Sequence, residues 1–342
     1  MAVQTVQAVP DVTGRSEVEA DFPLVTDPYR RELLAHCYRM TGSVHDAEDL
    51  VQETYLRAWR AYHSFEGRSS VRTWLYRIAT NVCLTALEGR GRRPLPAGLG
   101  APSQEAGSPL EENGEIPWLE PMPDAVLDSG TASDPLSVVT DRETIRLAFV
   151  AALQHLPARQ RAVLILRDVL RWKAAEVAEA METTTASVNS ALQRAHATLA
   201  KADLSEENVA EPTPEQAEML ERYVQAFWDK DIEAIVSMLT RDAVWEMPPF
   251  TGWYQGSENI GRLIATQCPG GVHDMRMVPT RANGQPAFGL YMRGEDDTFR
   301  PFHLQVLTVG HDGVEHVGAF FEASLFGLFG LPDSLPPDYV PA

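Results

Sequence analysis

Residues 46–61 read DAEDLVQETYLRAWRA and repeat with the period of an amphipathic helix. One stripe of this helix carries the small and apolar side chains, which are Ala47, Leu50, Val51, Thr54, Tyr55 and Ala58. Asp46, Asp49 and Glu53 fall on the opposite side, because residues three, four and seven positions apart share a helix face. The sequence therefore predicts a helix with one buried face and one acidic face.

Helical patterns continue on both sides of this stretch, over residues 27–88 and again over 140–201. A second helix near 71–87 places its larger apolar side chains inward, namely Trp74, Leu75, Ile78, Ala79 and Val82. The later block gives four helical segments, which are broken at Pro157, at Leu170–Lys173 and at Thr183–Thr185. The front of the chain is therefore expected to be all helix.

The pattern changes in the last third of the chain. A helix pair is predicted over 214–238, and alternating segments typical of strands begin at Ala243 and run to about residue 322. Turn signals such as Asn283-Gly284 and Asp312-Gly313 separate these segments. The fold class predicted for the chain is multidomain, with two all-α domains followed by an α+β domain.

Charge is unevenly distributed over the 342 residues, whose formal total is −19. Residues 30–93 and 142–201 each carry a net charge of +4, whereas 94–141 carry −9 and 202–342 carry −14. The acidic total alone would argue against nucleic acid as a partner. The two basic blocks reverse that interpretation, because the local sign of charge is the better guide to partners.

Eight of the 24 prolines lie between Pro94 and Pro135. Together with the glycines, serines and acidic residues around them, they predict an extended linker that does not fold alone. One apolar piece, IPWLEPMP at 116–123, is expected to dock on a folded domain, with Trp118, Leu119 and Pro121 as the docking residues. Trp118 could also be an exposed aromatic without a partner.

Residues 173–201 indicate a helix-turn-helix. A short helix over 174–180 is followed by a threonine-rich turn, with Thr184 or Thr185 as N-cap, and by a longer helix. The outer face of that second helix offers polar groups suited to base edges and phosphates, and an ordinary helical hairpin is the alternative. The basic residues of the preceding helix, Arg159, Arg161 and Arg167, favour DNA.

The block 31–93 closely resembles region 2 of the sigma-70 family, in its extracytoplasmic-function (ECF) group. The resemblance rests on DAEDLVQE at 46–53, on Phe65–Ser70 and on RTWLYRIATN at 72–81. Leu156–Arg194 resembles region 4 of the same family, and the stretch 215–256 resembles a SnoaL-like domain, as in the SigG-like branch. The predicted domains are a disordered tail at 1–26, region 2 at 27–93, an acidic linker at 94–139, region 4 at 140–203, a linker at 204–213, a SnoaL-like domain at 214–330 and a tail at 331–342.

This resemblance implies three binding surfaces, although an acidic helix face can also be merely solvated. Core RNA polymerase, through its β′ clamp, would be bound by Asp46, Asp49, Gln52 and Glu53. The minus-ten promoter element would be bound by Phe65, Arg68, Ser69, Arg72, Arg77, Thr80 and Asn81, with Trp74 in the core. The minus-thirty-five element would be bound by Thr185, Ser187, Asn189, Ser190, Gln193 and Arg194.

Region 4 departs from the family pattern at three positions. Asn189 and Ala191 stand where basic residues are common, and His196 stands where arginine is common. Fewer phosphate anchors predict weaker, salt-dependent binding of the minus-thirty-five element.

The SnoaL-like resemblance implies a cone-shaped fold around an apolar pocket, and a small-molecule ligand or a regulatory protein is a possible partner there. Its expected lining is Trp245, Met247, Phe250, Trp253, Tyr254, His303 and Phe320. Asp242, Glu246 and His303 are candidate acid or base groups, although Asp242 could cap a turn and His303 could be a core histidine. Fold alone does not assign chemistry, so a regulatory role is preferred to catalysis.

Several classes of protein are excluded by what the sequence lacks. It shows no signal sequence and no long apolar window, so a cytoplasmic protein without a membrane partner is expected. The three scattered cysteines form no metal motif, and neither cofactor nor metal is expected. The leading hypothesis is a non-catalytic sigma factor that binds core polymerase, at the β′ clamp and β flap, and promoter DNA. The alternatives are a fused SnoaL-like isomerase or cyclase with a DNA-binding front, and a plain helix-turn-helix repressor.

Overall fold

A computed structural model describes residues 22–127, 144–200 and 212–339. The predicted linker residues 128–139 and 204–211, and most of the predicted N-terminal tail, lie outside the described residues. Residues 22–26 of that tail are helical, and Phe22 packs against Tyr55, Trp59 and Tyr62. The first folded unit therefore begins earlier than residue 27, because this aromatic ring covers the end of the bundle.

After the helical turn at 22–26, the first bundle is built from α1 (Arg30–Thr41), α2 (Val44–Ala61) and α3 (Val71–Ala86). Ser43 caps α2 and Ser70 caps α3, each accepting a hydrogen bond from the backbone N–H three residues on. The buried side chains of α2 are Val44, Ala47, Val51, Thr54 and Ala58, so the predicted inner stripe is confirmed. Leu50 and Tyr55 pack at its margin.

Over residues 144–200, the second all-α unit consists of α5 (Leu147–Gln154), α6 (Ala158–Leu164), α7 (Ala174–Ala180) and α8 (Thr185–Leu199). A π-helical turn, Ile165–Val169, continues α6. Helix α8 packs on α6 and α7, and its buried residues are Val188, Ala191 and Ala195. Helices α5 and α6 also contact α1, so the two helical units share one hydrophobic core.

The C-terminal domain is α+β, as expected. Helices α9 (Pro214–Asp229), α10 (Ile232–Met238) and α11 (Ser257–Gln267) cover one face of a six-stranded sheet, and α12 (Ser324–Leu328) follows it. The strands are β1 (Leu239–Glu246), β2 (Trp253–Gln255), β3 (Met275–Ala282), β4 (Gln285–Arg293), β5 (Phe299–Val309) and β6 (Val314–Phe320). Their order is β2-β1-β6-β5-β4-β3, with only the β1–β6 pair parallel among these described strands.

The two faces of this sheet belong to different cores. Side chains such as Leu304, Val306 and Phe320 join the core of the helical front, whereas their neighbours Leu307, Val317 and Ala319 join the core inside the cone. This division follows from strand geometry, because successive side chains point to opposite faces. Residues up to 339 belong to the domain, since Leu335 is buried and pairs with Phe299. The predicted tail therefore begins too early.

The predicted linker is packed rather than free over residues 94–127. Its backbone bonds to the cone at Ser103–Trp253, Asn113–Pro249 and Glu111–Thr251. It then reaches α1 and α2, where the N–H of Glu120 donates to the carbonyl of Gly42 at 3.0 Å. A short helix, α4 (Asp124–Leu127), ends the described part. The described part of the linker therefore lies along both neighbouring domains instead of extending free between them.

Candidate functional site

The acidic face of α2 carries the four residues predicted to bind a protein partner. Asp49 and Gln52 are exposed, and Glu53 is half-buried with an ion pair to Arg57 one turn further on, at 2.7 Å. None of these three side chains belongs to the inner stripe. The outer face of α2 can therefore present a carboxylate and an amide to another surface.

Asp46 lies on the same face but already has partners within the chain. Arg93 and Arg90 approach its carboxylate at 2.8 and 3.2 Å. These contacts tie the chain that follows α3 to the first turn of α2. Asp46 therefore serves the bundle itself, and it is less able to bind a partner than Asp49.

The loop between α2 and α3 holds the aromatic ring predicted to contact DNA. Phe65 packs on Trp74 with ring centroids 4.8 Å apart, and one side of its ring is covered in this way. Arg68 and Ser69 are exposed, and Arg68 pairs with Glu66. Trp74 is half-buried and packs against the core, as its position in the inner stripe predicts.

Helix α3 brings only some of its predicted residues to the surface. Arg77 is exposed and Asn81 is half-buried. Arg72 bonds to the carboxylate of Glu32 at 2.6 Å and lies 5.0 Å from the ring centroid of Tyr76. A basic track is therefore present along α3, with Arg72 held in place by α1.

Thr80 is a wrong prediction. Its side chain is fully buried, donates to the carbonyl of Tyr76 at 2.7 Å and contacts His36 Nε2 at 3.0 Å. Burial, and to a lesser degree the charge of Arg39, lowers the pKa of His36 to about 3. Thr80 therefore pairs with a neutral core histidine, and its side chain is not at the surface where it was expected.

Helix α8 places all six of its predicted polar residues at the surface. Thr185, Ser187, Asn189, Ser190, Gln193 and Arg194 are exposed. The Thr184 hydroxyl accepts from the N–H of Ser187 at 3.1 Å, so Thr184 is the N-cap. Arg194 donates to Ser190 at 2.6 Å, which places a cation over the middle of this face.

The departures from the family pattern are not equivalent in the structure. Asn189 and His196 are exposed, and His196 lies 2.6 Å from Asp168. Ala191 is buried, so its position offers no phosphate anchor. Arg161, predicted to favour DNA, is also buried and donates to the carbonyls of Leu153 and Met40, which joins α6 to the end of α1.

In the docking segment at 116–123, the residues that hold the linker to the helical units follow Trp118 in the chain. Leu119 and Pro121 are buried, whereas Trp118 is half-buried and its indole N–H donates to the linker carbonyl of Asn113. One carboxylate oxygen of Glu120 accepts from the Ser43 hydroxyl and the N–H of Val44, at 2.9 and 3.0 Å. An anion at a helix N-terminus is favourable, so Glu120 is an anchor that the hydrophobic pattern did not reveal.

A cavity of about 210 Å³ lies inside the cone, between the sheet, the helices and the linker. Four of the seven predicted lining residues line it, namely Trp245, Met247, Phe250 and His303. Leu110, Phe227, Leu263, Ile264, Gln267, Cys268, Pro269, Phe302, Ala319 and Phe321 complete the wall. Leu110 comes from the linker, so the linker supplies part of the cavity wall.

Three predicted lining residues face elsewhere. Phe320 lies on the opposite face of the sheet, in the core of the helical front, and Phe321 takes its place. Trp253 donates its indole N–H to the carbonyl of Gly100 in the linker, and Tyr254 is buried outside the cavity wall. Strand parity explains Phe320, because a shift of one residue moves a side chain to the other face.

Of the three candidate acid or base groups, only His303 lies in the cavity. Asp242 is exposed. Glu246 points away from the cavity, where it contacts His316 Nε2 and accepts from the N–H of Ala97, both at 2.6 Å. Burial lowers the pKa of His303 to about 3, so its imidazole is neutral at pH 7.

In the part of the chain that the structure describes, no helix is both long and apolar enough to cross a bilayer. The same residues contain no cluster of three or more His, Cys, Asp or Glu side chains that could hold a metal ion.

Family models match three separate blocks of the chain. Residues 26–93 match sigma-70 region 2, 146–199 match sigma-70 region 4 and 220–311 match the SnoaL-like domain. The ECF RNA polymerase sigma factor SigG of Mycobacterium tuberculosis is 57% identical over 322 residues, which cover 93% of this chain and 86% of that protein. SigJ from the same organism is 29% identical over 242 residues, 69% of each chain.

A crystal structure of the SigJ protein from Mycobacterium tuberculosis has a similar fold. The TM-score is 0.55 at 24% identity, and the match covers 92% of this chain and 100% of that one. The order of two helical units and a SnoaL-like domain is therefore shared along nearly the whole chain.

Proposed function

The chain belongs to the ECF group of the sigma-70 family, and we propose how its surfaces divide the work of an RNA polymerase sigma factor. Sigma factors of this family are non-catalytic subunits that associate with core polymerase and promoter DNA. We assign core binding to α2, the minus-ten element to the 65–81 surface and the minus-thirty-five element to α8. The protein would act in the cytoplasm, with the polymerase.

Core binding rests on one observation, the exposed acidic face of α2. Asp49 and Gln52 are exposed on the side opposite the buried stripe, and Glu53 lies beside them. None of these side chains packs in the bundle, so the face is available to a partner. Its charge would complement a basic patch on core polymerase, and such complementarity sets both register and association rate.

Charge reversal tests this assignment. The double variant Asp49→Arg, Glu53→Arg should lower the affinity for purified core polymerase at least about tenfold, roughly 1.4 kcal/mol, because like charges would then meet. The measurement is fluorescence anisotropy of labelled protein titrated with core enzyme. Circular dichroism should remain unchanged, since neither residue is in the core.

The matched control is Glu218→Arg, Glu221→Arg on α9, which makes the same change in charge on an exposed face of the cone. It should bind core polymerase as the parent does. Equal affinities for the parent and for the α2 variant would show that the acidic face is only solvated.

Promoter contacts are assigned to two exposed polar surfaces. The 65–81 stretch carries an aromatic ring, Phe65, together with the exposed Arg68 and Arg77 and the half-buried Asn81. Aromatic and basic groups together hold unstacked bases next to a phosphate backbone. On α8, hydroxyl and amide groups surround Arg194, a combination suited to base edges and phosphates. Thr80 has no part in this assignment.

The cone is proposed to regulate the two helical units from within the same chain. Asn283, on the turn between β3 and β4, donates to the Tyr38 hydroxyl of α1 at 2.9 Å and to the carbonyl of Ile145 at 2.7 Å. It also accepts from the N–H of Met122 in the linker. One cone residue thus bonds to the first helical unit, the linker and the segment before α5, which supports a role in setting their arrangement.

A further inference from the structure

The cavity of the cone contains two buried polar groups that differ from the rest of its wall. Trp245 and His303 are 3% and 4% exposed, and both line the cavity. Trp245 Nε1 and His303 Nδ1 have no hydrogen-bond partner among the described residues. Most buried polar atoms in proteins are paired, so each exception calls for an explanation.

The protonation of His303 follows from its neighbours. The buried Tyr223 hydroxyl donates to Gln305 Oε1 at 2.9 Å. The amide nitrogen of Gln305, Nε2, therefore faces His303 Nε2, also at 2.9 Å. An amide nitrogen only donates, hence Nε2 accepts and the ring proton of the neutral imidazole is on Nδ1. If the Gln305 amide were turned over, its nitrogen would face the Tyr223 hydroxyl, and the hydroxyl proton would lose the oxygen that accepts it here.

The cavity therefore presents two N–H donors, since an indole Nε1 can only donate. Trp245 and His303 both line the cavity, although the two nitrogen atoms themselves expose almost no surface. Gln267, at the wall, already donates to the linker carbonyl of Ser108.

Size and charge limit what could occupy this volume. No Asp, Glu, Lys or Arg lines the cavity within the described residues, so nothing there would pair with an ionic ligand. An apolar cavity of about 150 Å³ is large enough for benzene. The 210 Å³ available here would take one substituted ring.

We propose that the cone binds a small, uncharged, largely apolar molecule whose carbonyl oxygen accepts a hydrogen bond from Trp245 Nε1, with His303 Nδ1 as the second unpaired donor in the wall. The apolar wall would bury the body of the molecule, and Trp245 Nε1 would orient its oxygen. Linker residue Leu110 also contacts the occupied volume, beside the Glu112–Phe250 bridge and the Glu111–Thr251 hydrogen bond. A bound molecule would thus touch the same linker in which Glu120 bonds to Ser43 and Val44 at the start of α2. This consequence rests on the proposed regulatory function, whereas binding itself does not.

Binding is tested on the full-length protein with three probes of similar size. Acetophenone carries the carbonyl, α-methylstyrene has the same shape without it, and benzoate replaces it with a charged carboxylate at pH 7. Isothermal titration calorimetry should give an acetophenone affinity about tenfold higher than that of α-methylstyrene, as expected for one or two hydrogen bonds. Benzoate should bind more weakly than acetophenone.

A matched pair of variants locates the contact. Trp245→Phe keeps a ring but removes the donor, so acetophenone should lose about three- to tenfold in affinity, while α-methylstyrene should be little affected. Trp253→Phe removes an indole N–H that bonds outside the cavity and should change neither affinity. In ¹⁵N-histidine spectra of the parent, acetophenone should shift the Nδ1 resonance of His303.

Three results would overturn the proposal: acetophenone that binds no tighter than α-methylstyrene, benzoate that binds tighter than acetophenone, or equal effects of Trp245→Phe and Trp253→Phe. These measurements do not involve polymerase or DNA. A failure here therefore leaves the sigma assignment intact, and failure of core binding would leave the cavity result intact.

Discussion

The outer face of α8 and the inner wall of the cone both carry polar groups at positions predicted to be functional, but water reaches only the first. On α8, Thr185, Gln193 and Arg194 are exposed. In the cone, Trp245 and His303 are almost completely buried. The first surface suits an extended, charged polymer, and the second suits a molecule that can be enclosed.

This difference predicts where substitutions act. On an exposed face, water replaces a lost partner, so a substitution there changes DNA binding and its salt dependence but hardly changes stability. In a buried site, a lost partner leaves a desolvated polar group, which costs about 1–3 kcal/mol. The largest effects on folding should therefore come from the cone and from its junction with the helical front.

The strongest test of the junction is Asn283→Asp. Asn283 is fully buried, and the substitution replaces the group that donates to Tyr38 and Ile145 with a carboxylate. The backbone at this position is left-handed, with φ of 56°, which aspartate tolerates. The loss of stability would therefore come from the missing N–H donors and from the buried charge. Urea denaturation should show a free energy of unfolding lower by about 3 kcal/mol or more.

The control for this junction variant is Asn259→Asp, at a half-buried site where the side chain donates only to the linker carbonyl of Ser103. It should cost about 1 kcal/mol. Run-off transcription should change with Asn283→Asp and not with Asn259→Asp, if the cone sets the arrangement of the helical units. Equal losses of stability in the two variants would show that the Asn283 junction contributes no more than an ordinary surface contact. Unchanged transcription would show that the cone does not regulate the helical units.

The next effect in size concerns pH. Burial lowers the pKa of His36 and of His303 to about 3, from an ordinary value of 6.5. In the unfolded chain both rings take up a proton below pH 6.5, whereas the folded chain keeps them neutral. Stability should therefore fall as the pH decreases from 6.5 toward 3, by up to about 1.4 kcal/mol per pH unit for each histidine.

Replacing one of these histidines separates the two regions. His303→Leu should reduce the slope of unfolding free energy against pH by about one proton, measured by urea denaturation between pH 6 and 4.5. His311→Leu, on an exposed turn, is the control and should keep the parental slope. An unchanged slope in His303→Leu would mean that water enters the cavity and the ring is protonated in the folded chain. The inner wall of the cone would then be as accessible to water as the outer face of α8.

Sequence periodicity predicted the helical front well because a helix that packs on one side shows its faces directly. The inner stripe of α2 and the exposed face of α8 were both predicted from spacing alone. The surface position of Thr80, which was expected from the family resemblance, was wrong, since α3 packs against α1, α2 and α6. A threonine hydroxyl can bond back to the carbonyl four residues earlier, so a polar side chain was acceptable on a buried face.

The cavity was less predictable because its wall combines distant parts of the chain. The adjacent pair Phe320-Phe321 gave no indication of which ring faces inward, since this depends on the pairing of β6 with β5 and β1. Leu110 joins the wall from a segment with the composition of a linker. The Asn283-Gly284 turn was predicted, but its bonds to Tyr38 and Ile145 depend on tertiary packing that no local pattern records.

The smallest effect on folding, and the clearest on DNA, is expected from Arg194→Ala on α8. Arg194 is exposed, and its contact within the protein is with Ser190 on the same face, so the free energy of unfolding should change by less than about 0.5 kcal/mol. If Arg194 contacts a phosphate, the slope of log K against log salt for minus-thirty-five DNA should fall by about 0.9. If it reads a base instead, discrimination at one position should fall by about 1–3 kcal/mol.

Arg222→Ala, on the exposed side of α9, is the control. It removes the same charge from another helix and should leave both the salt slope and the base discrimination unchanged. Equal effects of the two variants would mean that α8 acts only through net charge, and its outer face would then no longer contrast with the cone as a site of specific contacts.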